Sequence, residues 1–423
     1  DAPSSVGGFP GLFLNQLPPA CFTRDNRHVL LTTQWGSVGR VVRVSVADGT
    51  LRPLHVTVRG GTGAFQDPAD APARGSQALL CLTGDGGALV SESAPHRPDA
   101  VAYLPPAQLL ADDGGASGAL SVDASALPAF RPVAASSCAP NGDLPDFSYR
   151  VLSLDPTHVE GATDDPVESI LLLPTGDGGD PGAEAPGKPP LLVVPHGGPH
   201  SCHPTAYIPS YAYLCAAGYA VLFVNYRGST GFGQAPLECL AGRIGVVDVA
   251  DVVAATEAVR ASGDVDAARV GICGGSHGGF LAGHLAGRYP HLYKVAAMRN
   301  PVTNIASMVT ATDIPDWCYV ESFGSGYHGW ETSRGPTREE LDAMWRASPI
   351  AHIDGVVAPT LIALGLQDRR VPPSQGMEYY YALRSQGVPT KLLTYEHDNH
   401  AIDRVASEAD HWINCKKWFD EHL

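Results

Sequence analysis

The sequence predicts an α/β protein: a doubly wound, mostly parallel sheet over residues 147–423, preceded by an all-β region over residues 1–146. Three observations carry this expectation. Before about residue 147, short β-patterned runs alternate with turn clusters, and no stretch keeps a helical period over three turns. After about residue 190, strand-like runs alternate with helical stretches, the pattern of βα units. Several of those later runs are apolar throughout rather than every second residue, as strands covered on both faces are.

In the first region, Arg27–Thr33 and Arg40–Val46 read as strands, the second ending at the turn signal Asp48-Gly49. Ala78–Thr83 and Ala88–Ser93 flank Gly84-Asp85-Gly86-Gly87 and read as a hairpin. The spacing suits a sandwich or propeller blades equally. Three segments dense in Gly, Pro, Asp and Ala, 59–77, 112–126 and 176–190, read as surface loops. In the second region strands are expected at Leu191–Pro195, Tyr219–Tyr226, Arg269–Gly274, Lys294–Met298, Thr360–Gly365 and Thr390–Tyr395. Helices are expected at Tyr207–Ala217, Val246–Ser262, His277–Arg288, Ser374–Gln386 and Glu408–His422. Ligands of such a sheet bind at the carboxyl ends of its strands.

Composition narrows the function classes. The 423 residues, 44% hydrophobic and 17% charged, suffice for two or three domains and exclude a wholly disordered or fibrous chain. A net charge of −16 disfavours nucleic acid or an anionic membrane as a partner. Apolar runs such as Leu191–Val194 and Ala220–Val224 are strand-sized, far short of the ~20 residues a membrane span needs. The first ten residues show no signal-peptide pattern. The nine cysteines are scattered and none stands at C-x-x-C spacing, so reduced thiols, a cytoplasmic location, no metal site and no cofactor are expected.

The chemistry is carried by Gly274-Gly275-Ser276-His277-Gly278. This G-x-S-x-G sequence follows a strand and opens a helix, the context of a nucleophile elbow in an α/β-hydrolase fold, where flanking glycines let the backbone make a strained turn. Such an elbow requires an acid and then a histidine, each after a later strand. Asp368 follows the run Leu361–Gly365, and His400 follows Leu392–Tyr395. His397 lies too close to its strand to reach the elbow, and Asp354, Asp398 and Asp403 read as loop or cap residues. Serine needs a base to become nucleophilic, and the acid holds that base in its working tautomer. For the oxyanion, His196-Gly197-Gly198-Pro199 after the strand 191–195 resembles the glycine-rich loop of hydrolases, so the donors expected are the backbone N–H groups of Gly198 and His277. His196 is expected to be structural, while the His277 side chain is a candidate for the pocket wall.

Longer segments now allow a family comparison. P-H-G-G-P-H at 195–200, V-N-Y-R-G-S-T-G-F-G-Q at 224–234, G-G-S-H-G-G-F at 274–280, R-N-P-V-T-N-I-A-S-M at 299–308, T-D-I-P-D-W-C at 312–318, D-R-R-V-P at 368–372 and Q-G-M-E-Y-Y at 375–380 resemble the prolyl oligopeptidase family of serine peptidases. His277 after the nucleophile and T-D-I-P-D-W-C are similar to members acting on N-acylated peptides rather than to dipeptidyl peptidases. The resemblance implies an α/β-hydrolase domain with a seven-bladed β-propeller. It also implies release of an N-acylated amino acid from short blocked peptides, and self-association into homo-oligomers. Arg227 of N-Y-R-G is then a ligand for a substrate carbonyl, with a surface ion pair as the alternative. Arg370 is a second candidate for that pocket, and Phe232, Trp317 and Tyr319 are candidates for its apolar wall.

The chain departs from this pattern in one respect. Seven blades of about 40–45 residues need about 300 residues, and residues 1–146 hold two or three blades at most. The expectation is the carboxyl-terminal part of a truncated propeller followed by a complete catalytic domain. A broad carboxylesterase, or another oligopeptidase or dipeptidyl peptidase of the same fold, remains the alternative to the acyl-peptide reading.

Overall fold

A computed structural model describes residues 9–14, 17–18, 20–54, 56–59, 75–109, 120–123, 147–174, 187–331 and 335–423. Most of the three segments expected as surface loops, and Cys138, lie outside these residues. The chain divides into two compact units, one of mainly residues 7–146 and 204–212, the other of 147–203 and 213–423.

In the first unit, β1 (His28–Trp35), β2 (Val38–Ser45) and β3 (Leu51–Pro53) form one antiparallel sheet. The turn between β2 and β3 has Gly49 at φ 73°, and the Asp48 carboxylate accepts from the Thr50 amide at 3.0 Å. The Asp-Gly signal thus works through the left-handed residue it supplies. β4 (Val56–Arg59) pairs in parallel with β8 (Leu120–Asp123). β5 (Ser76–Leu82), β6 (Ala88–Ala94) and β7 (Arg97–Leu104) form a second antiparallel sheet, followed by the single turn α1 (Pro106–Leu109). The inward residues Leu30, Val41, Val90 and Leu104 share one buried cluster. Among the described residues no sheet of this unit has more than three strands.

The second unit is built on an eight-stranded sheet. Its strands are β9 (Phe147–Leu154), β10 (Val167–Pro174), β11 (Leu191–Pro195), β12 (Ala220–Asn225), β13 (Val270–Gly275), β14 (Val295–Arg299), β15 (Thr360–Gly365) and β16 (Thr390–Tyr395), in the order 16-15-14-13-11-12-10-9. β11 to β16 are mutually parallel, and β9 and β10 close one edge antiparallel. β11, β12 and β15 are buried at every residue, as their uninterrupted apolar runs require. The helices are α2 (Pro209–Ala216), α3 (Gln234–Glu238), α4 (Val247–Ser262), α5 (His277–Arg288), α6 (Ile305–Met308), α7 (Pro315–Phe323), α8 (Arg338–Arg346), α9 (Ser374–Ser385) and α10 (Val405–His422). One large apolar cluster joins α4 and α5 to the sheet through Val252, Val259, Phe280, Leu281, Leu285 and Ile272. Each such aliphatic or aromatic side chain contributes about 1.5–3 kcal/mol by leaving water.

Helix ends follow local chemistry. Gly263, at φ 81°, stops α4 in the left-handed conformation. α8 opens on a capping box in which the Thr337 hydroxyl accepts from the Glu340 amide and the Glu340 carboxylate accepts from the Thr337 amide. α10 starts at Val405, one turn before the expected start at Glu408. The eight cysteines among the described residues are unbridged, and none of the described helices is long and apolar enough to cross a membrane.

Candidate active site

The central strand β13 delivers Ser276 at φ 59° and ψ −122°, a left-handed conformation that costs a non-glycine residue about 1–3 kcal/mol. The surrounding contacts hold it there. The Ser276 amide donates to the Arg299 carbonyl at 2.9 Å, and the Ser276 carbonyl accepts from the Phe280 amide at 3.0 Å as α5 begins. The glycine spacing is steric. A Cβ on Gly274 would stand 2.2 Å from the Gly278 carbonyl oxygen, and one on Gly278 would stand 2.5 Å from that of Pro195. Only glycine at both places lets strand, elbow and helix approach this closely.

Asp368 follows β15 and His400 follows β16, and the two meet. His400 Nδ1 lies 2.6 Å from Asp368 Oδ2, while Asp368 Oδ1 accepts from the Arg370 amide at 2.9 Å and the Val371 amide at 3.0 Å. The Asp368 side chain is fully buried, and that of His400 is 32% exposed. With a carboxylate on Nδ1 the proton resides there, so Nε2 is the nitrogen able to accept a serine proton. Ser276, Asp368 and His400 line one cleft of about 550 Å³, together with Arg299, Asp313 and Arg370.

The histidine loop is held from β14. Asn300, 1% exposed and at φ 42°, donates through Nδ2 to the His400 carbonyl at 2.9 Å and accepts through Oδ1 from the Gly365 amide at 2.9 Å. Arg299 Nη1 donates to the Ala401 carbonyl at 2.9 Å. Gly365 admits the loop, because a Cβ there would lie 2.2 Å from the Asn399 carbonyl oxygen. Sequence reasoning had given no role to Arg299, Asn300 or Gly365. Their signals were position, at the ends of the strands beside the elbow, and for Arg299 and Asn300 the segment 299–308 that carries the family resemblance.

The glycine loop after β11 passes over the elbow: a Cβ on Gly197 would lie 3.4 Å from Ser276 Cβ and 3.9 Å from the His277 nitrogen. Burial pushes the His196 imidazole well below its ordinary pKa, with the neighbouring His203 adding to the shift, so it stays neutral. Nδ1 lies 2.8 Å from the Gly197 carbonyl oxygen, which can only accept, and Nε2 lies 2.7 Å from Ser229 Oγ. Because a trans peptide points its C=O and N–H in opposite directions, this contact turns the Gly198 N–H away from His196. The Gly198 carbonyl is fixed separately, accepting from Trp317 Nε1 at 3.0 Å.

Other expected site residues fall elsewhere. The His277 side chain is completely buried, its Nε2 2.9 Å from Asp248 Oδ2, which corrects the expectation of a place in the pocket wall. Arg227 is 3% exposed rather than a surface residue or a cleft residue. Its Nε and Nη2 hold the two oxygens of Asp251 at 2.9 and 2.6 Å, and its Nη1 and Nη2 donate to the carbonyls of Thr163 and Thr157. Its donors are thus spent on joining α4 to the loop between β9 and β10, which corrects the expectation of a substrate ligand. Phe232 is half-buried and absent from the lining of the cleft, and Tyr319 is a core residue. Trp317 packs edge-on against His277 and touches the glycine loop, not the cleft lining. Arg370 does line the cleft, its Nε 2.8 Å from Asp313 Oδ1. Among the described residues no group of three His, Cys, Asp or Glu is arranged to hold a metal ion.

Comparison with known proteins adds a family to this geometry. The chain is 38% identical to the acylamino-acid-releasing enzyme of Rattus norvegicus over 429 aligned residues, covering 100% of this chain and 52% of the rat protein. It is 39% identical to that of Sus scrofa, covering 98% of this chain and 51% of the pig protein. It thus spans about half the length of these relatives. Among solved structures, a puromycin hydrolase superposes with a TM-score of 0.70 at 22% identity, over 96% of this chain and 53% of its own. The acylaminoacyl peptidase of Pyrococcus horikoshii superposes with a TM-score of 0.68 at 18% identity, over 94% and 54%. These likenesses show a shared fold. The profile of the prolyl oligopeptidase family matches residues 207–423, the part of the chain that contains Ser276, Asp368 and His400, and the chain belongs to that family.

Proposed function

We propose that this chain is a serine exopeptidase that releases an N-acylated amino acid from the amino terminus of short blocked peptides. The observation that carries the reading is the meeting of the Asp368–His400 pair and the strained Ser276 on one cleft. Its substrate class rests on the acylamino-acid-releasing enzymes to which the chain is similar.

In this reading Ser276 Oγ attacks the carbonyl of the acylated residue while His400 Nε2 takes the hydroxyl proton. The oxygen anion that forms is held by the N–H groups of Gly198 and His277, and removing one such donor costs about 2.7–4 kcal/mol of transition-state stabilisation. The C–N bond then breaks, His400 returns its proton to the departing amine, and an ester on Ser276 remains. Water repeats the sequence: His400 takes its proton, the ester C–O bond breaks, and the N-acyl amino acid leaves with Ser276 restored. Asp368, buried and fixed by two amides, stabilises the imidazolium in both halves. We further propose that the small antiparallel sheets of the first unit belong to a β-propeller, that the protein resides in the cytoplasm with reduced thiols, and that it self-associates.

The test compares an acetyl-amino-acid anilide, the same anilide with a free amine, and a simple ester, in wild type and Ser276→Ala. Preference for the acetylated anilide, lost in Ser276→Ala, is the expected result. Faster turnover of the free-amine anilide would overturn the acyl-peptide reading, and turnover of the ester alone would point to a carboxylesterase.

A further inference from the structure

We infer that Arg299 and Arg369 form a carboxylate-binding subsite on the leaving-group side of the cleft, which selects blocked peptides whose departing portion ends in a free carboxylate a few residues beyond the cleaved bond. The inference rests on the peptidase reading above and adds what the enzyme recognises beyond the acylated residue.

Charge bookkeeping along the cleft is the first support. Three guanidinium groups, of Arg299, Arg369 and Arg370, line it with two carboxylates, of Asp313 and Asp368. Asp368 is occupied by His400 and two backbone amides, and Asp313 by Arg370. Among the described residues Arg299 and Arg369 have no carboxylate partner, in a chain whose net charge is −16. Positive charge concentrated beside the nucleophile of an otherwise acidic protein favours an anionic ligand at that spot.

Orientation is the second. His400 must give its proton to the departing amine, so the leaving portion lies on the His400 side of Ser276. Both arginines line the cleft together with His400. Arg369 directly follows the acid in sequence, and Arg299 donates through Nη1 to the carbonyl of Ala401, the residue after His400. The glycine loop that would receive the oxyanion approaches Ser276 through Gly197 and is not part of this lining. Arg299 is also preorganised. Besides the Ala401 contact, its Nε and Nη2 lie 3.1 and 3.2 Å from where a Cβ of Gly275 would stand, so the guanidinium lies beside the residue preceding the nucleophile. A planar group fixed at one edge, with donors left over, suits a carboxylate accepting two parallel hydrogen bonds.

The experiment measures kcat/KM for acetyl-Ala-Ala-Ala as the free acid and as its carboxyl-terminal amide, in wild type, Arg369→Gln and Arg299→Gln/Arg369→Gln. The ratio is taken on one enzyme, so a loss of folded protein cancels, and Gln at position 299 keeps a donor for Ala401. The expected acid-to-amide ratio is about five- to twentyfold in wild type, the range of a charge-assisted contact. It falls part way in Arg369→Gln, approaches one in the double variant, and shrinks in wild type as salt is raised. A wild-type ratio near one, or a ratio unchanged in the double variant, overturns the subsite while leaving the peptidase reading intact. Failure of wild type to cleave either peptide overturns the peptidase reading and the subsite with it.

Discussion

Replacing Arg227 by Met removes the positive half of a pair that the fold buries completely. Asp251 has a side-chain exposure of 0% and that of Arg227 is 2%, with 2.6 Å between Nη2 and Oδ1. Removing one partner of such a pair leaves an uncompensated buried charge, at a cost of about 3–5 kcal/mol, a large share of the 5–15 kcal/mol that typically separates folded from unfolded states. The carbonyls of Thr157 and Thr163 lose their donors as well, though they are near enough to solvent to recruit water. Burial already raises the pKa of Asp251, against the lowering effect of Arg227. Without the guanidinium it rises further. A carboxyl group whose folded pKa exceeds its unfolded one binds a proton preferentially in the folded state, so stability falls as pH rises through that window. The deficit of Arg227→Met therefore shrinks between pH 7 and pH 5.

Urea unfolding of wild type, Arg227→Met, Asp251→Asn and the double variant, with steady-state kinetics on an acetylated anilide, tests this. The double variant should regain most of the loss, because neither charge is then stranded, and the KM of the folded enzyme should change less than threefold. Unchanged stability with a KM raised tenfold or more would refute the argument and return Arg227 to the substrate. Arg227→Lys should recover only part of the stability, since one ammonium cannot reproduce a fork that holds both oxygens of Asp251.

Three further outcomes follow from the site and its support. Asn300→Ala strands the Gly365 amide and frees the His400 carbonyl, so kcat should fall at least tenfold with KM nearly constant, and Asn300→Asp, which keeps only the acceptor, should not rescue it. Gly274→Ala forces a methyl group to 2.2 Å from the Gly278 carbonyl oxygen and should destabilise the protein by about 1–3 kcal/mol as overpacking does, measured by thermal unfolding. Burial depresses the pKa of His196 and His284 strongly and that of His411 to about 3. Such groups take up protons only on unfolding, so stability is full above about pH 6.5 and falls by up to about 1.4 kcal/mol per pH unit for each histidine below it. Urea midpoints that stay flat between pH 7 and pH 5 would contradict this.

The parallel strands and the candidate triad were legible because both are written locally. An apolar run such as Leu191–Pro195 has no stable place except inside a sheet, and G-x-S-x-G, Asp368 and His400 each stand where a strand ends. Less legible were elements whose burial depends on distant partners. α7 buries Cys318, Tyr319 and Glu321, and a buried Glu321, placed 3.3 Å from His200, spoils the apolar periodicity by which a helix is recognised. α8 carried a readable capping-box sequence at Thr337 and Glu340, but it is only nine residues long and five of them are exposed. Arg227 illustrates the limit most directly: its partner Asp251 lies 24 residues further on, in α4.

We propose that Ser276, activated by His400, carries the acyl group of a blocked amino acid during turnover. The most direct measurement is acid-quenched peptide mapping of the enzyme during turnover of an N-acetyl-alanine nitrophenyl ester, beside its free-amine counterpart. An acetyl-alanyl group on the Ser276 peptide, absent from Ser276→Ala and faint in His400→Ala, is the predicted result. Turnover with the label elsewhere or missing, or faster labelling by the free-amine ester, would contradict it.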